Sequence, residues 1–189
     1  MSDTSPADLK RALRADLKAR RENLEYDPDL ADGILRNLAE LVSARGSKSV
    51  ACYLPFGNEP DTELFIDWAL DAGIRILLPV SLETGELEWV NFEGETEVGI
   101  FGFAEAAGSR VSLDEVDLVI APALAVDLAG NRLGKGKGYY DRALSGHAIP
   151  VVAVVYDDEL LEAVPTEPHD QPVAAVVTPS QLVVFAGLN

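Results

Sequence analysis

Glycine takes every second position in Gly134, Gly136 and Gly138, with Lys135 and Lys137 between them and Tyr139, Tyr140 and Asp141 directly after. Without a Cβ, main-chain N–H groups can come close to an anion, and two ammonium groups add full charge beside them. That chemistry suits a phosphate. The string is not a GxxxxGKS/T loop, and a GxGxxG dinucleotide fingerprint would need glycine where Tyr139 stands. A flexible surface turn could read the same way. What favours the phosphate is the setting: ligands of open parallel sheets bind beyond the carboxyl ends of the strands, where a following helix adds partial positive charge.

The 189-residue chain holds 32 Asp and Glu against 15 Lys and Arg, a net charge of −17. Such a balance repels nucleic acid and anionic lipid unless the cations are concentrated. They are: Lys10, Arg11, Arg14, Lys18, Arg20 and Arg21 fall in one segment, and Arg132, Lys135, Lys137 and Arg142 in another. The two segments either build one anion site or form a solvated helix face and an unrelated basic loop. No nucleic-acid motif accompanies them. The length suits one domain. A lone cysteine, Cys52, no opening signal pattern and no apolar run of about 20 residues imply a cytoplasmic protein that neither spans nor binds a membrane.

The positioning elements follow from periodicity. Leu9, Leu13, Leu17 and Leu24 form a helical stripe, with Ser5 as N-cap, Pro6 in the first turn and Asp8 behind the cap. Lys10 and Arg14, four apart, leave that helix on one face. A second helix is expected over 29–44, ended by Gly46. Residues 49–55 and 75–80 read as buried strands joined by a helix that Thr62 caps, a βαβ unit. Residues 86–92 alternate as an edge strand or hairpin, and 93–110 read as loop. A buried strand over 116–126 leads into the glycines, a short helix over 139–144 follows, then a strand from Ile149, a helix over 157–164, and strands near 173–177 and 182–185. Strands alternating with helices predict an α/β three-layer sandwich with a mostly parallel, Rossmann-like sheet in a single domain.

The longer string DLAGNRLGKGKGYYDR closely resembles the signature of the 5-formyltetrahydrofolate cyclo-ligase family. KRALR, YLPFGNEPDT and VPTEPHDQP resemble, in the same order, its ATP-contacting helix, folate-side loop and metal-side loop. The resemblance implies a monomeric enzyme that converts 5-formyltetrahydrofolate and MgATP to 5,10-methenyltetrahydrofolate, ADP and phosphate. It implies ATP contacts at Lys10, Arg11, Arg14, Arg132, Leu133, Gly134, Lys135, Gly136, Lys137, Gly138, Tyr139 and Tyr140. Folate would meet Leu54, Glu59, Tyr139 and the ribbon residues Lys135, Gly136, Lys137 and Gly138, with Phe56 as apolar wall or ordinary core aromatic. Mg2+ would lie at Asp141 and Asp170. Lys137 would stabilise the transferring phosphoryl group.

Taken alone, Asp141 could equally be a helix first-turn acid and Asp170 a surface charge. His147 and His169 have no cysteine or histidine neighbours suited to zinc, and Cys52 reads as a small core residue. The chain departs from the family pattern at Ala174, where an acid is common, and at 101–106, where FGFAEA lacks two prolines. A non-catalytic folate- or nucleotide-binding protein on the same scaffold is the alternative.

Overall fold

The computed structural model describes residues 5–25, 27–167, 170–185 and 187–188. Helix α1 (Pro6–Glu22) begins as expected, with the Ser5 hydroxyl accepting from the Asp8 N–H at 3.2 Å. Helix α2 (Pro28–Arg45) is capped by Asp27 and stopped by Gly46 at φ 67°. Strand β1 (Ser49–Ala51), helix α3 (Glu63–Asp71) and strand β2 (Arg75–Ser81) form the parallel βαβ unit. Then come β3 (Leu87–Asn91), β4 (Thr96–Val98), β5 (Ala104–Ala106), β6 (Arg110–Val111), β7 (Leu118–Pro122), β8 (Ala125–Asp127), β9 (Arg132–Leu133), α4 (Tyr139–Leu144), β10 (Val151–Val154), β11 (Leu160–Leu161), β12 (Ala175–Val177) and β13 (Leu182–Val184).

The main sheet runs β13-β12-β10-β7-β1-β2-β3-β6. Its five central strands, β12 to β2, are mutually parallel; β13 and β3 run against them, and β6 pairs antiparallel with β3. Alternation along the strands divides the core. Val50, Cys52, Ile76, Leu78, Leu118 and Ile120 pack with α2 and α3, while Ala51, Leu77, Val119 and Ala121 face Leu113, Val116 and the α4 residue Leu144. Helical layers on both faces give the three-layer sandwich, since a parallel strand must be covered on each side.

Several expectations need correcting. The run over 116–126 is two strands: β7 ends at Pro122, which has no N–H to extend a ladder, and β8 joins a second sheet, β11-β8-β9. The glycine ribbon therefore follows an antiparallel hairpin, β8–β9, rather than the parallel strand itself. No α-helix forms over 157–164. Glu159 is drawn inward to a paired contact with Arg21, at 2.6 and 2.7 Å, and Leu160 pairs with Val126. These tertiary bonds leave a single 3-10 turn, Asp157–Glu159, and override local propensity. Within 93–110, β4 and β5 pair as a hairpin; β3 forms the expected antiparallel hairpin with β2 but is not the edge, because β6 covers its outer side. Thr62 does not cap α3 through its side chain; its hydroxyl donates to the Tyr53 carbonyl at 2.6 Å, and the Asp61 carboxylate accepts from the Glu63 N–H at 2.8 Å. On α1, Leu17 is buried but Leu9 is exposed, because the helix leans on the small second sheet through Leu17, Leu124, Ala125 and Leu133.

Candidate functional site

The ribbon starts from a fixed base. Within the β8–β9 turn, the Asp127 carboxylate accepts from the N–H groups of Ala129, Asn131 and Val164 and from the Asn131 amide. Burial alone would raise its carboxyl; those hydrogen bonds, led by the Asn131 side chain, hold it below the ordinary range instead. At the far end, Tyr140 packs edge-on to Trp89 at 6.2 Å and anchors α4 to the sheet. Burial pushes the Tyr140 phenol well above its usual value, and its hydroxyl has no partner among the described residues.

Between these anchors each glycine faces a different guanidinium. A Cβ on Gly134 would lie 3.2 Å from Arg132 Nη1, one on Gly136 3.3 Å from Arg14 Nε, and one on Gly138 2.9 Å from Arg142 Nη1. Gly136 and Gly138 also take φ of 93° and 69°, which other residues resist. The missing side chains thus let arginines close on the ribbon as well as exposing its amides. Arg14 Nε donates to the Gly134 carbonyl at 2.9 Å. Arg142 Nη2 donates to the Lys137 carbonyl at 3.1 Å and to that of Gly85, beneath the Tyr139 ring. Arg132 Nη1 donates to the Pro122 carbonyl and Nη2 pairs with Asp141. Since α4 has only six residues, the positive potential comes mainly from side chains and less from a helix dipole.

The two lysines differ. Lys135 Nζ pairs with Glu59 Oε1 at 2.7 Å, and the almost buried Glu59 accepts from the Phe56 N–H at 2.8 Å. Lys137 makes no ion pair among the described residues and stands 5.2 Å above the Phe101 ring. An aromatic row, Phe56–Phe103–Phe101, links the positions under both lysines, with centroids 4.5 and 6.1 Å apart. Behind Phe56 and Phe103 lies a cavity of about 390 Å³, walled by Leu54, Ile66 and Phe92 and edged by Glu63 and Asp67. Burial, then Asp61 and Asp67, raises the Glu63 carboxyl.

On the other side, Lys10 is 4% exposed, with Nζ 2.8 Å from Glu167 Oε2 and 2.6 Å from Asp170 Oδ2. Burial works against its charge, but the two carboxylates outweigh it and raise the Lys10 pKa. Two hard oxygen donors converging on one cation suit a magnesium ion, which takes few protein carboxylates and keeps most of its water. Among the described residues no cluster of three or more such ligands exists.

The structure gathers Lys10, Arg14, Arg132, the ribbon, Glu59, Phe56, Leu54, Asp141 and Asp170 into one connected zone. Arg11 pairs instead with Asp8 on the exposed face of α1, and Leu133 is core. Cys52 is buried beside the Tyr53 carbonyl with its thiol pushed up to about 12 by that burial. His147 meets Asp114 at 2.7 Å, and His169 lies outside the described residues. Sequence reading missed Glu167, Arg142, Phe101 and Phe103. The aromatic pair was visible as FGF, an apolar motif in a stretch read as loop; the other two had no distinguishing pattern.

The chain matches the model of the 5-formyltetrahydrofolate cyclo-ligase family over residues 6–179. It is 36% identical to a 5-formyltetrahydrofolate cyclo-ligase of Mycolicibacterium smegmatis, over 97% of this chain and 98% of that protein. It is 33% identical to one from Escherichia coli, over 71% and 79%. An Aquifex aeolicus 5,10-methenyltetrahydrofolate synthetase structure superposes with a TM-score of 0.83 at 33% identity, covering 94% of this chain and 93% of that one.

Proposed function

This chain belongs to the 5-formyltetrahydrofolate cyclo-ligase family and is an enzyme of that activity, and from that premise we propose how its residues drive the ring closure with ATP. The N5-formyl group is an amide whose oxygen is a poor leaving group. Transfer of the γ-phosphoryl group to that oxygen leaves an iminium-like carbon, which N10 attacks; the C–O bond then breaks and phosphate departs. The protein need supply no covalent nucleophile, only alignment and charge neutralisation.

The observation that carries this reading is the ribbon's unequal lysines. Lys135 is fixed by Glu59 at the folate-side cavity, while Lys137 has no acidic partner among the described residues and would be the cation that meets the transferring phosphoryl group. Ribbon amides and Arg14 hold the phosphates, Leu54, Phe56, Glu59 and Tyr139 face the folate, and Arg132 orients the ribbon through Pro122 and Asp141. Tyr140, packed against Trp89, offers a ligand its main chain more readily than its ring. Asp170 with Glu167 would hold Mg2+, which would offset phosphate charge, while Asp141 is engaged by Arg132. We assign the activity to one domain working as a monomer in the cytoplasm; no described helix is long and apolar enough to cross a membrane.

Methenyltetrahydrofolate absorbance should grow only when 5-formyltetrahydrofolate, ATP and Mg2+ are all present, with one ADP per product. Folded protein that binds both substrates and forms no product would defeat the catalytic assignment.

A further inference from the structure

Tyr53 and Tyr140 both carry a buried phenol in the field of Glu59, but their hydroxyls end differently. That of Tyr53 donates to the Pro60 carbonyl at 2.8 Å. That of Tyr140 has no partner among the described residues. The Tyr140 ring is held edge-on by Trp89 and packs against the cluster that includes Ala51 of β1 and Ala121 of β7. These two strands flank the point where the sheet reverses its winding: the chain passes from β1 outward to β2, and from β7 outward the other way through β10 to β12. Open α/β sheets take their ligands in the crevice beyond the strands at such a point. Glu59 is the carboxylate that acts most strongly on the Tyr140 hydroxyl. It accepts from Lys135 Nζ at 2.7 Å and from the Phe56 N–H at 2.8 Å, and not from Tyr140. A buried donor left unmet is costly, and buried polar groups are nearly always paired.

We propose that the Tyr140 hydroxyl is a substrate donor: it gives its hydrogen bond to a carbonyl oxygen of bound 5-formyltetrahydrofolate, the partner that the free protein lacks. This rests on the reading that the folate lies at Glu59 and Lys135. The chemistry is complementary. A pterin presents N–H donors at its amino end and carbonyl oxygens at C4 and on the N5-formyl group, side by side. Glu59 is an acceptor with lone pairs to spare for the first, and Tyr140 adds a donor for the second. A donor fixed on a ring that Trp89 keeps from turning sets the pterin's place against the ribbon, where the phosphoryl group arrives. The same role explains why tyrosine stands where phenylalanine would pack equally well against Trp89 and Ala51. The Tyr140 side chain thus serves the folate, whatever its main chain gives the phosphates.

The test compares full-length Tyr140→Phe with wild type. Because the lost hydroxyl bonds to nothing in the free protein, the variant's melting temperature without ligand should equal or exceed that of wild type. Its calorimetric affinity for 5-formyltetrahydrofolate should fall about three- to tenfold, the worth of one neutral hydrogen bond, while its MgATP affinity stays unchanged. Its kcat/KM for the folate should fall by at least as much. A lower melting temperature of the free variant, or failure to fold, would give the hydroxyl a structural partner and overturn the proposal. Unchanged folate affinity, the result if the hydroxyl only holds a water, overturns it too, as does a loss confined to MgATP. Should wild type bind 5-formyltetrahydrofolate without turning it over, the catalytic reading fails, and the binding comparison still decides this one.

Discussion

Lys10 is held between two carboxylates at 2.8 and 2.6 Å, whereas Lys137 stands over the Phe101 ring with no acid partner among the described residues. Both belong to the basic zone formed by α1 and the ribbon, in a chain of net charge −17. The difference shows that gathering cations is not enough to bind an anion. On the α1 side the ammonium is already engaged by two carboxylates, so its charge is not free to meet an anion. At the ribbon, three guanidiniums and Lys137 are countered mainly by Asp141, so that corner accepts negative charge. The ribbon corner is the one that suits the phosphates of the proposed nucleotide.

Removing the unpaired charge should have the largest effect. Lys137→Ala should lower kcat by about 100- to 1000-fold, as loss of a preorganised group facing transition-state charge does. Its circular dichroism spectrum and melting temperature should not change, since the side chain is exposed. If Lys137→Ala keeps its turnover, the two corners are not functionally different.

Distorting the ribbon without altering its charge comes next. Gly138→Ala forces a side chain into φ 69° and against Arg142. It should cost about 1 kcal/mol of stability and raise KM for ATP by about tenfold through displaced amides. The reading of Lys135 is sharpened by Lys135→Ala, which should raise KM for 5-formyltetrahydrofolate several-fold while leaving KM for ATP nearly unchanged. An effect confined to ATP would move Lys135 to the other corner.

The smallest expected effect concerns the ribbon's base. The Asp127 carboxyl lies below its ordinary 3.8 in the folded protein, so on acidification the unfolded chain takes up the proton first. Its stabilisation is complete above the ordinary value and is lost as pH falls through the lowered folded value. Thermal melts between pH 5 and 2 should show a shallower loss for Asp127→Asn than for wild type.

Much of this was legible in the sequence because local patterns dictated it. The Ser5 cap, the Gly46 stop and the βαβ unit are set by neighbouring residues, and the glycine ribbon is set by the backbone conformation it requires. What was not legible depended on distant partners. Leu160 and Leu161 carry helical spacing but are claimed as a strand by β8, while Glu159 is drawn to Arg21, 138 residues away. Glu167 looked like one acid among 32 until the fold brought α1 to it. Arg142 shows its role only once Gly138 and the Gly85 turn lie against it.

The most direct measurement is a single-turnover experiment with enzyme in excess over 5-formyltetrahydrofolate at saturating ATP and Mg2+, comparing wild type with Lys137→Ala. Methenyltetrahydrofolate should form in one fast phase with wild type and at least about 100-fold more slowly with the variant, while calorimetric ATP affinity falls only several-fold. Equal rates, or a loss explained wholly by weaker ATP binding, would contradict the assignment of Lys137 to the transferring phosphoryl group.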